Sequence, residues 1–117
     1  MYKEQFYTIQ NIESVGNQHD ITITLNESHH IYKGHFPQHP VVPGVCTLQI
    51  IKECVSALAK MNVRYQTISS CKFTSLIVPS PSPITLKITL NETLGCQATV
   101  IVNDQSVLKL KANFVKI

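Results

Sequence analysis

Charge is scarce in this chain: 15% of its 117 residues are Asp, Glu, Lys or Arg, and Arg64 is the sole arginine. The formal net charge of +3 comes from scattered lysines rather than a basic run. No aromatic-interleaved basic patch is present, so a nucleic acid is not an expected partner. No apolar run is long enough to cross a bilayer, and Met1-Tyr2-Lys3-Glu4-Gln5 lacks the apolar core of a secretory signal. The expected location is therefore the cytoplasm, away from membranes. Cys46, Cys54, Cys71 and Cys96 show no C-x-x-C spacing and stand in otherwise apolar segments. They are expected to be reduced core thiols rather than metal ligands or disulfide partners.

What the chain does have is apolar material, 44% of it, enough for one core in a single domain over residues 1–117. So little charge leaves the surface thinly covered, which favours a homo-oligomer that buries part of it. The hydrophobic pattern changes period along the chain. Tyr7 to Val15 reads as a strand ending at the turn signal Gly16-Asn17, and Ile21 to Leu25 alternates like a half-buried strand. A stretch rich in histidine and proline, His29 to Pro43, interrupts regular structure. From Pro43 to about Met61 the pattern is helical, apolar round most of the circumference. Gln49, Lys52, Glu53, Ser56 and Lys60 form its polar stripe, so other elements are expected to wrap it. Thr67 to Val78, Ile84 to Leu90, Ala98 to Val102 and Leu108 to Phe114 read as further strands. This order predicts an α+β fold: a single antiparallel β-sheet wrapped around one long central α-helix.

The segment Gly34-His35-Phe36-Pro37-Gln38-His39-Pro40-Val41-Val42-Pro43-Gly44-Val45 carries the chemistry. Its prolines set an extended path that presents His35 just before the helix begins. A histidine held there can act as a general base near neutral pH. The N–H groups of Gly44 and Val45 open the helix and can polarise a carbonyl oxygen where charge develops. Base plus oxyanion donors describes proton abstraction beside a thioester carbonyl. The same spacing also describes a proline-stiffened loop whose histidine only hydrogen-bonds. His39 lies four residues after His35, but the intervening Pro37 denies them a shared helical face, and neither a metal site nor a cofactor is expected.

His35-Phe36-Pro37-x-x-Pro40-Val41-x-Pro43-Gly44-Val45 resembles the signature of the β-hydroxyacyl-(acyl carrier protein) dehydratases, the FabZ/FabA-like enzymes. A weaker likeness extends over most of the chain, with Phe73 to Pro79 standing where that family carries a Phe-x-x-Pro-Val-x-Pro-Gly segment. The resemblance implies a hot-dog fold, at least a homodimer or an oligomer of dimers, and an acyl tunnel at the subunit interface. It implies an acyl carrier protein or CoA thioester as substrate-bearing partner and fatty-acid-type chemistry. His35 would be the catalytic histidine, the Gly44 N–H would hold the thioester carbonyl, and Phe36, Pro43 and Val45 would help to line the substrate site.

In that family a Glu or Asp from the partner subunit stands fourteen residues after the histidine; here the position is Gln49. An amide donates hydrogen bonds but transfers no proton at physiological pH. Glu53, one helical turn further on, is the candidate substitute acid. The expected activity is elimination of water from a 3-hydroxyacyl thioester to give the trans-2-enoyl thioester. Its rivals are a hot-dog acyl thioesterase and a non-catalytic acyl- or carrier-binding subunit paired with an active relative.

Overall fold

Alternation and turn chemistry build the first hairpin. β1 (Tyr7–Val15) and β2 (Gln18–Leu25) are antiparallel, with Val15 opposite Gln18. Gly16, at φ +61°, takes the first central position of the two-residue turn, a conformation that favours glycine. In β2, Ile21, Ile23 and Leu25 turn inward, whereas β1 is exposed along most of its length and buries Tyr7. The structure, a computed structural model, describes residues 6–26, 42, 44–78 and 82–117.

α1 (Gly44–Ala59) follows. It buries Cys46, Thr47, Ile50, Ile51, Cys54 and Val55, two adjacent rows of side chains four residues apart. Leu48 and Leu58 pack half-buried against the same core. Lys60, at φ 56°, ends the helix, and the Met61 N–H reaches back to the Ser56 carbonyl at 3.2 Å. That is the closure of a Schellman cap. Met61 therefore lies beyond the helix rather than in it.

Four more strands complete the sheet: β3 (Val63–Phe73), β4 (Ile84–Leu90), β5 (Gly95–Val102) and β6 (Gln105–Lys116). All pairs are antiparallel, in the order β1-β2-β4-β5-β6-β3. The chain thus enters α1 from one side of the sheet and leaves it to form the opposite edge. Inward residues of β2, β4, β5 and β6 join those of α1 in one core cluster. Leu108, Leu110, Ala112 and Phe114 of β6 are buried, with Lys109, Lys111 and Asn113 outside, as the alternation predicts.

The strand expected over Thr67–Val78 is displaced. β3 starts at Val63 and stops at Phe73, because Val63 is buried directly after the helix cap and pairs with Lys116. Beyond Phe73 the chain turns toward the helix start, where the Ile77 carbonyl accepts from the Val42 N–H at 2.7 Å. β3 is an edge strand with most side chains exposed, and Cys71 lies on it. Cys71 is therefore exposed rather than a core thiol; Cys46, Cys54 and Cys96 are buried. Burial holds the Cys96 thiol neutral and pushes its pKa up to about 11.

Candidate active site around the start of the helix

Gly44 is the first residue of α1. An added Cβ there would lie 3.2 Å from Cζ of Phe73, tighter than nine in ten real Cβ contacts. The missing side chain of Gly44 is thus occupied by an aromatic ring from the end of β3. Beside it opens a cleft of about 430 Å³ lined by Val42, Gly44, Phe73, Thr74, Leu76 and Ile77 among others. Val45, expected to line the substrate site, is 72% exposed and is not among the cleft's lining residues, of which Phe73 and Leu76 are exposed apolar side chains. This rim is apolar. His35, Phe36 and Pro43, expected to supply the base and part of the substrate wall, lie outside the described residues.

The polar stripe of α1 carries the other candidates. The Gln49 amide donates from Nε2 to Oε2 of Glu53 at 2.9 Å, the i to i+4 reach of one helical turn. The Tyr7 hydroxyl donates to Oε1 of the same carboxylate at 2.8 Å. Both oxygens of Glu53 therefore accept hydrogen bonds. Burial, and then this bond to Glu53, push the Tyr7 hydroxyl well above the usual phenol range. Tyr7 stays a donor. Gln49 is half-buried.

Tyr7 joins this group although it is 46 residues from Glu53, and no local pattern announces it. A second unforeseen polar group is Thr47, 3% exposed, whose Oγ1 has no hydrogen-bond partner. It borders a cavity of about 10 Å³ between α1 and the sheet, lined otherwise by aliphatic side chains. A water there would meet one polar side chain, too few partners to hold it.

A helix laid on one six-stranded antiparallel sheet, with a cleft at the helix start, defines a hot-dog protein. The model of the ApeI-like family, described as ApeI dehydratase, matches residues 11–109. The chain belongs to the ApeI-like dehydratase family, within the FabZ/FabA-like hot-dog dehydratases.

Among curated proteins it is similar to the 3-hydroxyacyl-(acyl-carrier-protein) dehydratase FabZ of Fusobacterium nucleatum. Identity there is 26% over 99 residues, covering 80% of this chain and 56% of the relative. FabZ of Brucella melitensis biotype 2 is 32% identical over 65 residues, covering 49% of this chain and 40% of the relative. The chain thus spans about half the length of the curated relatives it matches. Among solved structures it superimposes on the dehydratase heterocomplex ApeI:P of Xenorhabdus doucetiae with a TM-score of 0.80. Coverage is 92% of this chain and 96% of that one, at 21% identity, a likeness of fold. Among the described residues no helix is long and apolar enough to cross a membrane.

Proposed function

We propose that this chain is a subunit of a paired hot-dog dehydratase that removes water from a 3-hydroxyacyl thioester carried on acyl carrier protein or CoA. The observation that carries the reading is the apolar cleft at Gly44, where α1 begins directly after the histidine–proline motif. The thioester carbonyl would accept from the Gly44 N–H, which strengthens as negative charge develops on that oxygen. His35 would take the α-proton. Gln49 of the neighbouring subunit would hold the 3-hydroxyl, and His35 would return the proton to it. The α C–H and β C–O bonds break, the α,β double bond forms, and water leaves.

Two subunits would meet along the exposed edge of β3, where Ile68 and Phe73 are 44% and 45% exposed. An unpaired edge strand beside an apolar rim is the arrangement that association satisfies. The test is the appearance of the conjugated enoyl thioester from a 3-hydroxyacyl-carrier substrate. His35→Ala should abolish it. Gln49→Glu should raise it, toward the roughly 10²–10⁴-fold contribution typical of a positioned acid.

A second reading has its own support. Gln49 transfers no proton, and the solved neighbour from Xenorhabdus doucetiae is a heterocomplex. This chain would then pair with an active relative that supplies the acid. If wild type and Gln49→Glu are both silent alone yet bind acyl carrier protein, the enzyme reading fails and the binding-subunit reading stands.

A further inference from the structure

We infer that the small cavity behind Val42 and Ile77 seats the far end of the acyl group, and that the Thr47 hydroxyl selects an end bearing a hydroxyl of its own. The inference rests on the reading of the Gly44 cleft as the acyl site and deepens it into a rule of substrate selection. Val42 and Ile77 line both spaces, the cleft at the helix start and the cavity between α1 and the sheet. They form the wall that the two share. The Val42 N–H on the Ile77 carbonyl, at 2.7 Å, ties their backbones together. Thr74, three residues before Ile77, is anchored on β6 through the carbonyls of Ser106 and Val107. With the backbone held at these points, a chain in the cleft passes the wall by rotation of side chains.

Beyond the wall, about 10 Å³ of space lies among aliphatic side chains, Ile23, Leu25, Ile50 and Leu86 among them, and Thr47. That takes one group the size of a water, so only the tip of a chain fits. Thr47 is 3% exposed and its Oγ1 has no hydrogen-bond partner. Valine would fill the same space without an orphaned hydroxyl, so the use of that hydroxyl lies with a group that enters. A hydroxyl arriving on a chain can meet Oγ1 as donor or as acceptor, because each carries both functions. A methyl end leaves Oγ1 unpaired. The class of ligand is thus an acyl thioester hydroxylated at its far end.

The experiment measures binding of saturated acyl pantetheine thioesters, which carry no 3-hydroxyl to eliminate, to the full chain and to Thr47→Val. Two series of increasing length are compared, one ending in a methyl and one in a hydroxyl. Short members should not distinguish the two proteins. Once a chain is long enough to pass Val42 and Ile77, Thr47→Val should weaken the hydroxyl-ended ligand by about tenfold and leave the methyl-ended one unchanged. Thr47→Ser, which keeps the hydroxyl, should bind the hydroxyl-ended chain as the wild type does. A merely structural role for Thr47 would move both series equally, and that result overturns the inference. So does the absence of any length at which the series part, or a loss in Thr47→Ser as large as in Thr47→Val. Turnover of a 3-hydroxyacyl substrate without this effect sinks the inference alone and leaves the dehydratase standing. Failure of every chain to bind sinks the acyl cleft and the inference together.

Discussion

Thr47 faces inward because it shares the buried rows of α1 with Cys46, Ile50 and Ile51. Its Oγ1 is, among the described residues, the buried side-chain oxygen without a partner, and its cavity is otherwise aliphatic. Such a hydroxyl costs about 1–3 kcal/mol relative to a satisfied one, while valine has nearly the same shape. Thr47→Val should therefore stabilise the protein by about 1 kcal/mol, read as a higher urea midpoint at unchanged slope. An unchanged or lowered midpoint would contradict the orphaned state. At this scale the sequence is readable where spacing is local. The prolines and glycine between His35 and Val45 mark a motif, and Gln49 to Glu53 is an i to i+4 pair. Tyr7 and Thr47 were not readable. One depends on where the sheet order carries β1, the other on which way a threonine faces in a helix that is apolar nearly all round.

Turns and edges decide how the elements are cut. Asn103 and Asp104, at φ 51° and 64°, join β5 to β6 with Val102 opposite Gln105. Two left-handed residues in a two-residue hairpin make a type I′ turn, in which glycine at the second place is the strongest choice. Asp104→Gly should stabilise by about 0.5–1 kcal/mol. Gly16→Ala should cost about 1 kcal/mol through its backbone alone, since nothing lies within 4 Å of the added carbon. Denaturant titration of both variants checks the opposite signs. The first of these turns was legible because Gly16-Asn17 is a turn signal standing before the alternating run Ile21 to Leu25. β3 was not. It is exposed from Gln66 to Phe73 apart from its pairing with β6, so its side chains carry little inward–outward contrast and its ends are set by neighbours. The apparent strand from Thr74 to Val78 is apolar because it covers the helix start and rims the cleft.

At the scale of the whole molecule, the core holds Tyr7, Tyr65 and Cys96 as neutral acids. Burial first raises Tyr7, Tyr65 and Cys96, with Glu53 adding to the effect on Tyr7. Each folded-state pKa lies above its unfolded value, so each contribution to stability is complete below the unfolded value. That begins near 9.0 for the thiol and 10.0 for the phenols. It is lost as pH climbs through the folded values, about 11 for Cys96 and higher for the tyrosines. Urea midpoints should hold steady up to about pH 9 and fall steeply above it; a flat profile to pH 11 would contradict the burial of all three.

The exposed edge of β3 bears on the fate of the chain inside a cell. The open side of this eleven-residue strand, with Phe73 on it and exposed Leu76 and Val78 beyond its end, is the kind of surface that chaperones and proteases inspect. In the pair proposed above, covering it would hide the chain from that surveillance, and a bare edge would mark an unpaired copy. Assembly on β3 would then double as quality control, with unmatched copies cleared before they accumulate and matched ones persisting.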